Sequence, residues 1–429
     1  MNVAVLGGGY AGMAAAVTLA ECGIPVTVYE AAAHLGGRAR RVTYRGLSLD
    51  NGLHVLIGAC SEMLRLVARV NRNADDALLR LPLDWHIHDR FQMRVPKLPA
   101  PLHLATALFT ARGLRWRARA SMLRFVQRLR RDRFELGADM SVQRLLERHL
   151  QDEAAIRYLW QPLCVSALNT PIAEASARAF LNVLRDGFDR AARNSDVLVA
   201  RRDLSALFPE PAGEFVRALG GVIRLGQTVS SIARDGAEYV VTVRGVPHRH
   251  GAVVCALSPH RLAAAVSQLA PLREVAAAVE RFDYQPIHTV YLQFSGRVRL
   301  PAPMIGAVDG YAHWFFDREA ICGQRGLVAA VVSAARQHHG LAQEALARAA
   351  HAQLTRHFGP LPDLEWHRVI AEKRATFACT VDLKRPPART ALPSFVLAGD
   401  YTASDYPATL EGAVRSGVAA ARLLLDAER

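Results

Sequence analysis

The sequence predicts an α/β protein built from two interleaved domains, and three observations carry that prediction. The chain opens on a strand, glycine turn, helix and second strand; apolar strand patterns return after residue 220 and again before residue 400; and 429 residues exceed what one hydrophobic core ordinarily serves. In the opening run Val3–Leu6 reads as a buried parallel strand, Gly7-Gly8-Gly9-Tyr10-Ala11-Gly12 as the turn, Met13–Cys22 as the helix and Val26–Tyr29 as the strand that ends on Glu30. Each part has a mechanical job in a Rossmann-like, dinucleotide-binding βαβ unit. Gly7 permits the tight turn, Gly9 lets backbone approach a pyrophosphate, and Gly12 lets the helix lie close on the strand. The helix start beside Ala11 then offers free N–H groups and a positive dipole end to phosphate. Glu30 stands where an acid accepts hydrogen bonds from both ribose hydroxyls.

The next residues separate a flavin dinucleotide from a nicotinamide one. Glu30, Gly36, Gly37 and Arg38 read E-x(5)-G-G-R. This resembles the extended fingerprint of the superfamily of flavin-containing amine oxidases, protoporphyrinogen oxidases and phytoene desaturases, and implies FAD. Gly36 and Gly37 would let backbone pass close to the cofactor, and Arg38 would offer fixed donors to phosphate oxygens.

Composition narrows the class. Apolar residues make up 51% and charged residues 21% of the chain, a globular balance. Cys22, Cys60, Cys164, Cys255, Cys322 and Cys379 are scattered, with no CxxC pair, so neither a disulfide framework nor a zinc site is expected and a reducing compartment is. Val3–Ala20 is uncharged, yet it lacks a basic leader and its glycines fall on the nucleotide turn, so a signal peptide and a membrane span are set aside in favour of a cytoplasmic protein. His338-His339 and His248-Arg249-His250 have no third ligand at useful spacing and read as solvated loop residues rather than a metal site.

The net charge of +14 is concentrated. Between Arg90 and Arg133 lie 12 Lys or Arg and one acid, a balance of +11. Leu102–Ala111 is apolar but too short to span a bilayer, and is expected as a hairpin. Behind it Ala118, Met122, Phe125, Val126 and Leu129 share one helical face, and Arg117, Arg124, Arg128 and Arg131 another. With Trp116 between them, the two segments predict contact with an anionic membrane surface, on the inner face of the cell membrane. Nucleic acid is not expected, since no binding motif or aromatic stacking platform is present. An arginine excess that is partly compositional stays open as the plainer account.

Leu49-Asp50-Asn51-Gly52-Leu53-His54 sharpens the resemblance toward the carotenoid and squalene branch, whose members carry a similar D-N-G-x-H near the isoalloxazine. Gly52 would permit close approach to the flavin, and His54 would hydrogen-bond it, border the substrate, or simply be a satisfied core histidine. Trp160–Thr170, Asp203–Pro209, His313–Arg318 and Glu372–Phe377 are similar to the hydroxysqualene dehydroxylase family of bacterial hopanoid pathways, and with the two chain ends the resemblance covers essentially the whole sequence. It implies that the backbone of Val229 contacts the adenine. It also implies that Asp400, after Gly399, holds a ribityl hydroxyl, and that the amides from Thr409 and Leu410 to Ala413 stabilise negative charge on the flavin N1–C2=O edge. Many members have Trp at Tyr401 and Thr-Gly at Ser404-Asp405, which leaves the exact substrate open.

In chain order, Gly213–Gly220 is expected as a helix. Val222–Leu225, Val229–Ile232, Tyr239–Val243, Val253–Ala256 and Pro286–Phe294 are expected as strands, and Leu341–Phe358 as a helix stopped by Gly359-Pro360. The FAD-binding domain would comprise 1–80, 205–284 and 390–429, and an α+β substrate domain 81–204 and 285–389. The resemblance implies reductive removal of the hydroxyl of hydroxysqualene, a C30 isoprenoid, to give squalene. Loss of an allylic hydroxyl leaves a delocalised cation that hydride from reduced FAD can quench, with His54 and Asp317 as candidate acids for the departing water. Three alternatives remain: an oxidative phytoene or squalene desaturase, a flavin amine oxidase using Lys373, and a flavin-binding scaffold without turnover. No second dinucleotide fingerprint points to NADPH in a separate domain, and oligomeric state is not legible.

Overall fold

The computed structural model describes residues 2–334 and 341–428, so His338 and His339 lie outside the described residues. A parallel sheet of five strands runs in the order Val222–Arg224, Val26–Tyr29, Val3–Leu6, Ala252–Cys255, Phe395–Leu397. The N-terminal strand is central, with Val3 in register with Val26 on one side and Ala252 on the other. All four of its residues are buried, as a parallel strand covered on both faces requires. Val26–Tyr29 follows directly after the first helix, and the other three strands return from far along the chain.

The first helix is Tyr10–Glu21, three residues earlier than Met13. The second half of the glycine turn, Tyr10-Ala11-Gly12, is thus the start of the helix, and Gly9 is its extended N-cap. The C-terminal helix, Leu410–Glu428, packs beside it so closely that a Cβ on Gly417 would stand 2.0 Å from the Ala11 carbonyl oxygen. The helix after residue 208 runs Pro209–Ala218 rather than starting at Gly213, since Pro209 suits a first helical position where an N–H has no acceptor anyway.

A second sheet of seven strands gathers Leu364–Phe377, Tyr284–Phe294, Leu327–Val332, Trp314–Asp317, Met304–Gly306, Asp84–Ile87 and Phe91–Arg94, in that order. Side-chain alternation divides its faces. Tyr291, Trp314, Phe316, Ala329 and Val331 join the large central core, whereas Val290, Leu292, Phe315, Val328 and Ala330 lie under the helix Gln343–Phe358.

The basic segment departs from expectation in an informative way. Leu102–Thr110 is a helix, not a hairpin, and Trp116–Arg131 is the basic amphipathic helix. Ala118, Met122, Phe125 and Leu129 are fully buried, with the Phe125 ring 5.4 Å edge-on from Trp160. The protein's own core takes this apolar face, so the face is not free for lipid. Among the described residues no helix is long and apolar enough to cross a membrane.

Candidate active site

Both glycine motifs meet at the mouth of the first helix. Gly7 has φ +105°, and a Cβ there would lie 2.7 Å from the Ala256 carbonyl oxygen; on Gly12 it would lie 1.9 Å from the Gly7 carbonyl oxygen. These two glycines are demanded by the protein's own backbone. Gly9 is different, because the nearest atom to its missing Cβ is Gly37 Cα at 3.7 Å. A Cβ there would make only ordinary van der Waals contact with Gly36 and Gly37, in front of a helix whose first internal bond is Met13 N–H to the Gly9 carbonyl. The N–H groups of Tyr10, Ala11 and Gly12 precede that bond and lie outside the helical ladder. The Gly36 N–H donates to the Gly8 carbonyl at 2.9 Å, so the second glycine pair backs onto the first.

Glu30 ends the second strand as expected, and its carboxylate accepts from the N–H groups of Gly8 (2.6 Å) and Ala32 (2.8 Å). Those bonds fix the carboxylate beside the turn. The main chain of Gly226 and Gln227 bonds back to Ala32 and Glu30, which brings Val229 alongside two residues further on.

Arg38 and Asp400, 362 residues apart, form an ion pair at 2.6 Å. Burial works most strongly against the Arg38 charge, but Asp400, joined by Tyr284 and Glu372, outweighs it and holds the guanidinium above its ordinary value. Arg38 also donates to the carbonyls of Ala375 and, at 3.4 Å, Arg374. Tyr284 and Tyr401 stand in the same field, and neither buried hydroxyl has a hydrogen-bond partner among the described residues. Burial pushes the Tyr284 hydroxyl up to about 12 and Tyr401 well above its usual value. A cleft of about 540 Å³ adjoins, lined by His260, Phe282, Tyr284 and Arg374 among others. The side-chain-free backbone at Gly9, free helix-end amides, a cationic side chain and two orphaned hydroxyls fit a phosphate-bearing, hydroxyl-rich cofactor.

The D-N-G-x-H segment is tied into this cluster. Asn51 Nδ2 donates to the Arg38 carbonyl (2.8 Å) and to Glu372 (3.0 Å), joining three of the motifs singled out in the sequence. Gly52 has φ +92° and leaves its Cβ position facing His54 Nε2 at 3.6 Å. Burial, then the neighbouring Arg38 charge, lower the His54 pKa to about 4. Its ring is neutral at physiological pH and therefore a poor source of a proton for a leaving hydroxyl. Asp50, which sequence reasoning passed over, accepts from Leu204 N–H at 2.8 Å, and its main-chain N–H and carbonyl both bond the Tyr291 hydroxyl at 3.0 Å. Burial lifts its carboxyl to about 7 against the pull of Arg318 and the Leu204 amide. The sequence signal was the first letter of the motif itself.

Asp317, the second candidate acid, is placed on the strand Trp314–Asp317. It sits with Phe315 on the sheet face turned away from the central core, accepts from Leu300 N–H at 3.2 Å and caps the helix Arg318–Cys322 through Ala320 N–H at 2.9 Å. Both oxygens are engaged by backbone amides, which gives it a capping role at this helix. Lys373 is exposed on its strand, out of alternation with Glu372, which faces Asn51.

The C-terminal segment is held by residues that no motif announced. Arg385 donates to the carbonyls of Asp400 (3.3 Å), Ser404 and Tyr406 (2.8 Å), stapling the loop to one guanidinium. The Tyr406 hydroxyl donates to Asp186 at 2.7 Å. Gly399, at φ +149°, turns the chain so that Tyr401 packs under it, and its N–H donates to Ser416. Thr409 caps the last helix by accepting from Gly412 N–H at 3.1 Å. Glu411, almost fully buried, accepts from the N–H groups of Glu62 and Met63 and thereby caps the helix Ser61–Val70.

Comparison with known proteins places this arrangement. The family described as flavin containing amine oxidoreductase matches residues 10–425. A hydroxysqualene dehydroxylase from Zymomonas mobilis is 28% identical, with 98% of each chain covered. A zeta-carotene desaturase from Synechocystis is 24% identical over 99% of this chain and 97% of its own. Among solved structures, cyclohexylamine oxidase from Brevibacterium oxydans superposes with a TM-score of 0.72 at 16% identity, covering 100% of this chain and 99% of that one, which speaks for the fold alone.

Proposed function

Because the chain belongs to the flavin-containing amine oxidoreductase family, and is an FAD-dependent oxidoreductase of that fold, we propose that it removes the hydroxyl of hydroxysqualene reductively to give squalene. The observation that carries this reading is similarity over the full length to hydroxysqualene dehydroxylases, at 28% identity for the one from Zymomonas mobilis, against 24% for the zeta-carotene desaturase. In this reading the cofactor domain comprises 1–80, 205–284 and 390–429, and 81–204 with 285–389 handles substrate.

When bound and reduced, FAD would supply the hydride that replaces the hydroxyl on the substrate carbon, the oxygen departing as water with one added proton. The residues that would hold it are Gly7, Gly9, Ala11 and Gly12 with the helix-end amides for the pyrophosphate and Glu30 for the ribose. Val229 would serve the adenine, and Gly399 with Asp400 the ribityl chain. Arg38 would serve the phosphates together with Gly37, once its pairing with Asp400 is shared. The amides from Thr409 and Leu410 onward offer the positive end of the last helix to negative charge on the ring edge. Gly52 leaves room for the ring, and neutral His54 offers a hydrogen bond without placing a competing charge beside a substrate cation. An amine oxidase reading would need a lysine within the site, and Lys373 is exposed.

The test is product identity. Anaerobic incubation with hydroxysqualene and reduced flavin is expected to yield a product lighter by one oxygen atom. An unchanged alcohol, together with conversion of phytoene to a more unsaturated polyene under oxidising conditions, would instead establish a desaturase.

A further inference from the structure

Nine large apolar side chains are exposed among the described residues, and four fall within one short stretch: Leu98 (38%), Leu102 (57%), Phe109 (67%) and Trp116 (69%). Leu102 and Phe109 sit seven residues apart on the helix Leu102–Thr110 with exposed Ala105 between them, a single face, while His103, Ala107 and Leu108 on the other side are buried. Arg119 donates to the Phe109 carbonyl at 3.0 Å, which ties the first turn of the basic helix, and so Trp116, to the end of this one. The apolar surface continues from Leu98 into a cleft of about 430 Å³ lined by Leu83, Val95 and Leu98 with Arg80, Lys97 and Arg193.

Charge says what this face meets. Lys97, Arg112, Arg115 and Arg117 rim it, all exposed and none with a carboxylate partner among the described residues. The chain has no Asp or Glu between Asp89 and Asp132. A protein partner of neutral surface would leave these cations uncompensated, and nucleic acid would leave exposed Leu98 and Leu102 without an apolar partner. Apolar side chains projecting inside a ring of cations match an interface with an acyl layer beneath and anionic phosphates beside it.

We infer that the Leu98–Trp116 segment is a docking surface for an anionic lipid bilayer, with Leu102, Phe109 and Trp116 inserted at the acyl boundary and Lys97, Arg112, Arg115 and Arg117 against headgroup phosphates. The inserting element is the short apolar helix, and the basic helix behind it anchors that element to the core. The inference rests on the isoprenoid reading for its purpose, delivery of a lipid-dissolved substrate, but not for its geometry.

Flotation of the flavin-loaded full chain with vesicles tests it. Wild-type protein is expected to float with vesicles of phosphatidylglycerol mixed with phosphatidylcholine and to stay behind with phosphatidylcholine alone. The double variant Phe109→Asp, Trp116→Asp is expected to lose about tenfold or more of that partitioning while keeping its flavin absorbance and melting temperature, since both side chains project from the fold. Flotation of the variant equal to wild type would overturn the assignment, as would failure of wild type to float. Binding that duplex DNA competes away, and that ignores both substitutions, would also overturn it by making the surface a polyanion site. Turnover of detergent-dispersed hydroxysqualene is measured separately, so loss of the docking surface and loss of the proposed reaction remain distinguishable.

Discussion

His54 is held near pKa 4 mainly by burial, against an ordinary 6.5, so folding excludes a proton that the unfolded chain binds between those values. Stability is therefore complete above about 6.5 and is lost as pH falls toward 4, by up to ~3 kcal/mol for a shift of this size. His250, lowered to about 4 and bonded to the Tyr29 hydroxyl, acts in the same direction. Asp50 has the opposite sign: raised to about 7 from 3.8, it binds its proton more readily when folded, and stability is gained as pH falls through that window. His54→Gln should thus flatten the acid-side fall in melting temperature and Asp50→Asn should steepen it; equal slopes in both variants would remove the assigned charge states. Asp317→Ala should cost about 1–3 kcal/mol from a lost cap and a stranded amide while leaving kcat within a few-fold, as thermal melts and steady-state rates would reveal. A loss of kcat by orders of magnitude would return Asp317 to the site. Residue type alone could not show this capping role, because an acid beside an aromatic run reads the same whether its oxygens face backbone amides or substrate.

Elements were more legible than residues wherever backbone geometry dictates the sequence. Gly7, Gly12 and Gly52 were readable since a turn, a close approach or a positive φ leaves no other choice. The start of the first helix was misplaced by three residues because a glycine turn and a helical first turn share a sequence. Two glycines separate folding from binding. Gly12→Ala puts a methyl 1.9 Å from the Gly7 oxygen and should abolish folded protein, whereas Gly9→Ala meets nothing closer than 3.7 Å and should fold normally yet bind FAD at least ~10-fold more weakly. Circular dichroism and flavin content together score both; weak flavin binding in neither would mean that phosphate does not pass over Gly9. Arg385 lay outside every motif, since nothing in sequence foretells one guanidinium bonding the carbonyls of Asp400, Ser404 and Tyr406. Arg385→Met should lower stability by ~2–3 kcal/mol through those stranded carbonyls and raise the dissociation constant for FAD, readable by flavin fluorescence during thermal release.

At the scale of the whole molecule, the joining of the two ends follows from a central N-terminal strand. The last strand, Phe395–Leu397, pairs with Ala252–Cys255, itself beside Val3–Leu6, and Gly417 lies against Ala11. The Gly-Asp after an apolar strand foretold this, but the Arg38–Asp400 ion pair that results did not, because a pairing across 362 residues has no local pattern. The basic segment divides the same way: its charge and its amphipathic period were plain, while the burial of its apolar face in the core depended on Trp160 and the helices around it. In the proposed reaction the chain would hold an allylic alcohol where reduced FAD can supply hydride to it. Rapid anaerobic mixing of the reduced, flavin-loaded protein with hydroxysqualene, followed by absorbance, tests this most directly. The flavin should regain its oxidised spectrum in proportion to the alcohol consumed, whereas a flavin that stays bleached in the presence of excess hydroxysqualene would contradict the account.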